Sequence, residues 1–147
     1  MIEIVKMTLA HVPEIARIER SCFSSPWSEA SVASELENPL SLWLVAVESG
    51  KVAGYVGSQT VLGESDMMNL AVEETYRRQG VGRALIIALC ETLKKSGASS
   101  LTLEVRSTNE PAKVLYESLG FQATGCRPNY YLRPKEDAII YRKDLHS

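Results

Sequence analysis

Histidine and cysteine are scarce in this chain. His11 and His146 lie near opposite ends, and Cys22, Cys90 and Cys126 are scattered, odd in number and part of no CxxC or Cys/His spacing. This argues against a disulfide frame or a structural zinc site, and no metal is expected. Cys90 and Cys126 fall in a helical and a strand-like segment without a histidine beside them, so a cysteine nucleophile is poorly supported. Long apolar runs are missing too, and "MIEIVKMTLA" is no signal peptide. The cytoplasm is therefore the expected compartment, without a membrane partner. Positive charge is not in excess: 16 Lys and Arg stand against 18 Asp and Glu, a net charge of -2. No direct nucleic-acid binding is implied. Neither GxxxxGK[ST] nor a full GxGxxG occurs, since "GVGRAL" lacks the third glycine. An ordinary NTPase or dinucleotide dehydrogenase is thus disfavoured. Repeats, low-complexity segments and linkers are also lacking, so residues 1–147, 45% hydrophobic, are expected to form one domain.

What is present is a regular alternation of patterns. "IEIVKM" reads as a first strand. A helix follows from a Thr8 cap to about Cys22, with Leu9, Val12, Ile15 and Ile18 on one face and Pro13 in its first turn. "SSPWSEASVASELEN" gives a short second helix, stopped at Asn38-Pro39. "SLWLVAVE" is a nearly continuous apolar run, as in a strand buried on both faces, and hairpins through Ser49-Gly50 into "KVAGYVGSQTVL". "DMMNLAVEE" is a fourth strand. Val81, Ala84, Leu85, Ala88, Leu89 and Thr92 mark one face of a long helix ending at Gly97. "SLTLEVR" alternates as a strand, Asn109 caps a further helix with Ala112, Leu115, Tyr116 and Leu119 on its stripe, and two strands close the chain. The order βααβββαβαββ implies one parallel crossover in a mixed sheet.

The segment "YRRQGVGRAL" places Gly80 and Gly82 where a helix begins. The first N–H groups of a helix have no intrahelical partner and the dipole is positive there. Two residues without side chains let an anion approach, and Arg77, Arg78 and Arg83 add charge-assisted donors. A plain turn with solvated arginines fits the same residues.

"MNLAVEETYRRQGVG" resembles the Arg/Gln-x-x-Gly-x-Gly/Ala signature of the GNAT superfamily of N-acetyltransferases. "PWSEASVASEL", "LTLEVRSTNEPAKVLYESLGF" and "RPNYYLRPKEDAIIYRKDL" resemble its N-terminal acetyltransferase branch, from residue 26 to 145. The resemblance implies an α/β (α+β) fold: a mixed, mostly antiparallel sheet of about seven strands with about four helices, the fourth and fifth strands splayed. It implies acetyl-CoA, its pyrophosphate on the segment Arg77, Arg78, Gln79, Gly80, Val81, Gly82 and Arg83. Its pantetheine arm would run along Leu70, Ala71 and Val72 and reach Asn109. An N–H near Leu70 would polarise the thioester carbonyl. Glu104 of "LEVR" matches the general base, and Tyr116 of "LYESLGF" matches the acid for the leaving sulfur. From pattern alone, Glu104 equally reads as a salt bridge to Arg106 or another basic residue, Tyr116 as a core aromatic, and Asn109 as a plain N-cap. Asn109 and Tyr116 are seven residues apart, ~10 Å along one helix face.

The acceptor implied is the N-terminal alanine of a ribosomal protein, taken up directly without an acyl-enzyme. An α-amine of pKa near 7.7–8.0 is neutral to roughly a sixth at pH 7, whereas a lysine near 10.4 is neutral only at about the 10⁻³–10⁻⁴ level. A modest base therefore suffices for a terminus. Asn129, Tyr130 and Tyr131 are expected in a loop between the last two strands, covering the peptide beside Trp27. Glu136 and Asp137 would attract a basic tail or stand solvated. A GNAT enzyme for lysine or a small amine is the alternative, and a non-catalytic acyl-CoA-binding module a third reading. A monomer or weak dimer is expected.

Overall fold

A computed structural model describes residues 1–132 and 134–145. Seven strands, β1 (Glu3–Lys6), β2 (Ser41–Glu48), β3 (Lys51–Val61), β4 (Glu64–Val72), β5 (Ser100–Arg106), β6 (Gln122–Leu132) and β7 (Lys135–Asp144), form one sheet in the order β1-β2-β3-β4-β5-β7-β6. All neighbours are antiparallel except β4 and β5. Four helices, α1 (Val12–Cys22), α2 (Glu29–Ser34), α3 (Val81–Lys95) and α4 (Glu110–Ser118), complete the α/β fold. Among the described residues, no helix is long and apolar enough to cross a membrane.

Both faces of the sheet are covered. On one, Val12, Ile15 and Ile18 of α1 and Val32 of α2 pack on Trp43, Val45, Val52 and Tyr55. On the other, Leu85, Ile86, Leu89 and Leu93 of α3 and Tyr116 of α4 pack on Leu44, Val56, Leu101, Leu103 and Val105. The stripe of α3 thus runs through Ile86 and Leu93 rather than Ala84 and Thr92. Leu9, expected on the apolar face of α1, is 69% exposed, because residues 9–11 form a separate 3-10 turn before the α-helix begins at Val12.

The parallel contact is short. β4 and β5 share only the pairs Glu64↔Ser100, Ser65↔Leu101 and Asp66↔Thr102. Beyond Asp66, β4 stays with β3 while β5 stays with β7 along its whole length, so the two strands splay. A bulge reinforces the departure: Met67 faces Ser58 and Asn69 faces Gly57, leaving Met68 unpaired. Past it, the Glu73 N–H bonds to the Ala53 carbonyl. Backbone polarity alternates along a strand, so Ala71 also turns toward β3 while Leu70 and Val72 turn toward the gap. The Val72 carbonyl accepts from Arg77 Nε at 3.2 Å, in keeping with that direction.

Candidate active site

The splay opens a cleft of about 1010 Å³ whose walls come from every element around it. β5 contributes Glu104, α4 and its cap contribute Asn109 and Tyr116, β4 contributes Asn69 and Leu70, the segment before α2 contributes Trp27, and β6 contributes Tyr130 and Tyr131. Met68, Asn109 and Tyr131, far apart in sequence, line the same cleft because β4 and β5 part.

Glu104 is on the face of β5 opposite Leu103 and Val105, which are buried under α3 and α4. Its partner is not Arg106 but Arg127 on β6, with Nε 3.6 Å from Oε1. Burial raises the carboxyl's proton affinity, Arg127 works against that, and Asp66 adds to it. The net direction is up, the sense that suits a base.

Tyr116 is 4% exposed, edge-on to Phe121 and tilted against Tyr141. It is a core aromatic that also reaches the cleft. Burial pushes its phenol well up, with Tyr131 adding to the effect. The hydroxyl is therefore protonated at neutral pH, and among the described residues it has no hydrogen-bond partner.

Asn109 caps α4, its Oδ1 accepting from the Ala112 N–H at 3.2 Å. At the start of α3, Gly80 is the cap residue at φ 77, a conformation that glycine adopts without strain, and it offers no side chain to the helix N–H groups. A Cβ at Gly80 would meet nothing within 4 Å, and one at Gly82 only Val72 Cγ2 at 3.8 Å. The side chains are thus missing where no packing demands it, and the cap residue makes no side-chain hydrogen bond to the first N–H groups of this long helix. That fits a phosphate-bearing ligand.

The arginines divide. Arg77 turns back to the Val72 carbonyl and to Cys22 Sγ, and Arg83 donates to Ser118 Oγ at 3.1 Å. Gln79 donates to the Thr75 carbonyl at 3.2 Å. Of the three arginines of this segment only Arg78, at φ 64, carries a side chain without a partner among the described residues.

The acceptor side departs from expectation. Asn129, Tyr130 and Tyr131 belong to β6 rather than to a loop, in a stretch where the register with β7 shifts between Arg127 and Tyr131. Asn129, at φ 55, takes the strain, and its N–H donates to Asp137 Oδ1 at 2.8 Å. The rings stand edge to face, with Arg127 over Tyr130 and Arg106 over Tyr131. Glu136 and Asp137 lie on β7 and do not line the cleft. The Glu136 carboxylate accepts from Ser107 Oγ, from Thr108 N and Oγ1, and from Arg106. These bonds hold it at a pKa of about 2. Glu136 thus ties the β5–α4 corner, and Asp137 holds the Asn129 N–H.

Several residues of the site escape a reading by motif: Glu19, Phe23, Met68 and Asn69 also line the cleft, and Arg127 contacts Glu104. Glu19 alone left a signal. It falls four residues after Ile15 and seven after Val12, a carboxylate on the buried stripe of α1.

Comparison with known proteins agrees with this geometry. An Escherichia coli (strain K12) protein named [Ribosomal protein bS18]-alanine N-acetyltransferase is 43% identical over 132 residues, 88% of each chain. The crystal structure of the ribosomal-protein-S18-alanine N-acetyltransferase from Escherichia coli superposes with a TM-score of 0.91 at 38% identity, covering 100% of this chain and 96% of that one. Arabidopsis thaliana NAA60 in complex with acetyl-CoA reaches the same TM-score at 18% identity with full coverage of both chains, a likeness of fold alone. The profile of the Acetyltransferase (GNAT) family matches residues 12–121, the span that runs from α1 through the glycine-led α3 to the end of α4. With β4 and β5 splayed and Glu104 and Tyr116 lining one cleft, this chain belongs to the GNAT family of N-acetyltransferases.

Proposed function

We propose that the chain, as one N-acetyltransferase domain, moves the acetyl group of acetyl-CoA to the N-terminal alanine of ribosomal protein bS18 in the cytoplasm, as a monomer or weak dimer. The observation that carries this is the convergence of Glu104 and Tyr116 on one cleft between β4 and β5. The names of the relatives supply the acceptor.

Acetyl-CoA brings an activated thioester. The N–H groups at the start of α3, with Arg78, would hold its pyrophosphate, while Leu70 and Val72 would offer backbone groups to its arm. The Leu70 N–H would polarise the thioester carbonyl. Glu104 would take a proton from the α-ammonium, directly or through water, so that the free amine attacks. Tyr116 would return a proton to the departing sulfur. Trp27, Tyr130 and Tyr131 would enclose the peptide end, Asn109 combining its cap with a contact to the arm.

The test is turnover with acetyl-CoA and an alanine-initiated peptide that carries a downstream lysine, read by mass spectrometry. Acetyl on the α-amine, lost when that amine is blocked, is the expected result. Acetyl on the lysine or on small amines alone would replace the reading with a side-chain or small-molecule acetyltransferase. Acyl-CoA binding without any transfer would reduce the protein to a binding module.

A further inference from the structure

Glu19 is 0% exposed, yet it has no cationic partner among the described residues. An unpaired buried carboxylate is held only when donors surround it. Three do. The Trp27 backbone N–H donates to Oε1 at 2.9 Å, and Asn69 Nδ2 donates to Oε2 at 2.7 Å. The Tyr55 hydroxyl donates to the same Oε2. Stability alone does not call for an anion here, since an apolar replacement of similar volume is often as stable.

What the carboxylate joins is the two sides of the cleft. Residues 24–27 link α1 to α2, and among the described residues the bond to Glu19 is the one hydrogen bond their backbone N–H groups make. Trp27 then leans edge-on against Trp43, 5.4 Å between ring centroids, and Trp43 stacks on Tyr55. Trp43 lies so close to β3 that a Cβ at Gly57 would approach it to 2.4 Å. On the other side, Asn69 follows the Met68 bulge and precedes Leu70, whose backbone turns to the gap.

We propose that Glu19 is a positioning residue that fixes the acceptor wall at Trp27 and the β4 bulge at Asn69 in one mutual geometry, through hydrogen bonds to both. This rests on the acetyl-transfer reading for its kinetic consequence only. Glu19→Gln offers a single acceptor oxygen to three donors and turns an NH₂ toward one of them. The expected result is a rise of about tenfold or more in the KM for the peptide and a fall in kcat, with CoA affinity by calorimetry within about threefold of the parent. Leu93→Ala, a truncation in the last turn of α3 away from the cleft, is the comparison for a general loss of stability. If Glu19→Gln fails to fold, Glu19→Asp keeps an acceptor-only carboxylate with a shorter reach and carries the same KM test.

A second readout needs no turnover. In a Trp43→Phe background Trp27 is the single tryptophan, and adding Glu19→Gln should increase its quenching by acrylamide. An unchanged peptide KM in a folded Glu19 variant, a matching KM rise in Leu93→Ala, or unaltered Trp27 quenching would overturn the proposal. A parent enzyme that acetylates no peptide would sink the acetyl-transfer reading, while the quenching arm would still judge Glu19.

Discussion

At the residue scale, burial suits Glu104 and Tyr116 to the opposite tasks proposed for them. Desolvation makes the carboxylate a better proton acceptor and keeps the phenol protonated. Glu104→Gln and Tyr116→Phe should each lower turnover by about a hundredfold or more with CoA affinity largely retained. Steady-state rates beside calorimetric binding check this. Glu104 carries a second expectation. Its folded proton affinity is raised, so folding favours the protonated form, and the protein loses stability as pH rises through the folded pKa. Glu104→Gln should therefore be no less stable than the parent at neutral pH, with the gap closing below the ordinary glutamate range near 4.3. Denaturant midpoints across pH measure it. A variant more stable and less active would mark a carboxylate kept for chemistry at the expense of folding.

At the element scale, helix ends and strand corners do the positioning. Gly82 has room for a side chain, and an acid in the first turn of α3 complements the helix dipole. Gly82→Glu should leave the melting temperature level or slightly higher while weakening CoA binding about tenfold or more, which separates a ligand role from a folding role. The Glu136 corner behaves differently. Its carboxyl is held down to about 2 by Thr108, Ser107 and Arg106. A depressed folded pKa contributes stability that is complete above the unfolded value near 4.3 and lost as pH falls toward 2. Glu136→Gln should thus be less stable than the parent at pH 7, and the two should converge near pH 2, as acid titration followed by circular dichroism would register.

At the scale of the whole molecule, β4 and β5 part after three register pairs and leave backbone groups of β4 without a strand partner. A ligand that binds only the folded chain stabilises it by mass action, about 2.7 kcal/mol at a hundredfold excess over Kd. Acetyl-CoA should therefore raise the melting temperature in a concentration-dependent way and slow hydrogen exchange at Leu70 and Val72 more than at Ala71, which already bonds to β3. Equal slowing at all three would contradict the assigned backbone directions.

Local pattern carried the element order, the caps at Asn109 and Gly97, the glycine-led start of α3 and the candidacy of Glu104 and Tyr116, because spacing and turn chemistry act within a few residues. The chemistry of the acceptor side was not legible in the same way. That Asn129–Tyr131 form strand, that Glu136 is consumed by the β5–α4 corner and that Arg127 rather than Arg106 meets Glu104 all depend on the pairing of β5, β7 and β6. Register is a non-local property, and a partner on another strand leaves no trace in the spacing of one. The sequence by itself determined which groups are candidates for acyl transfer. Only the tertiary structure decided which of them face the same cleft, because it is the divergence of β4 from β5 that brings them together.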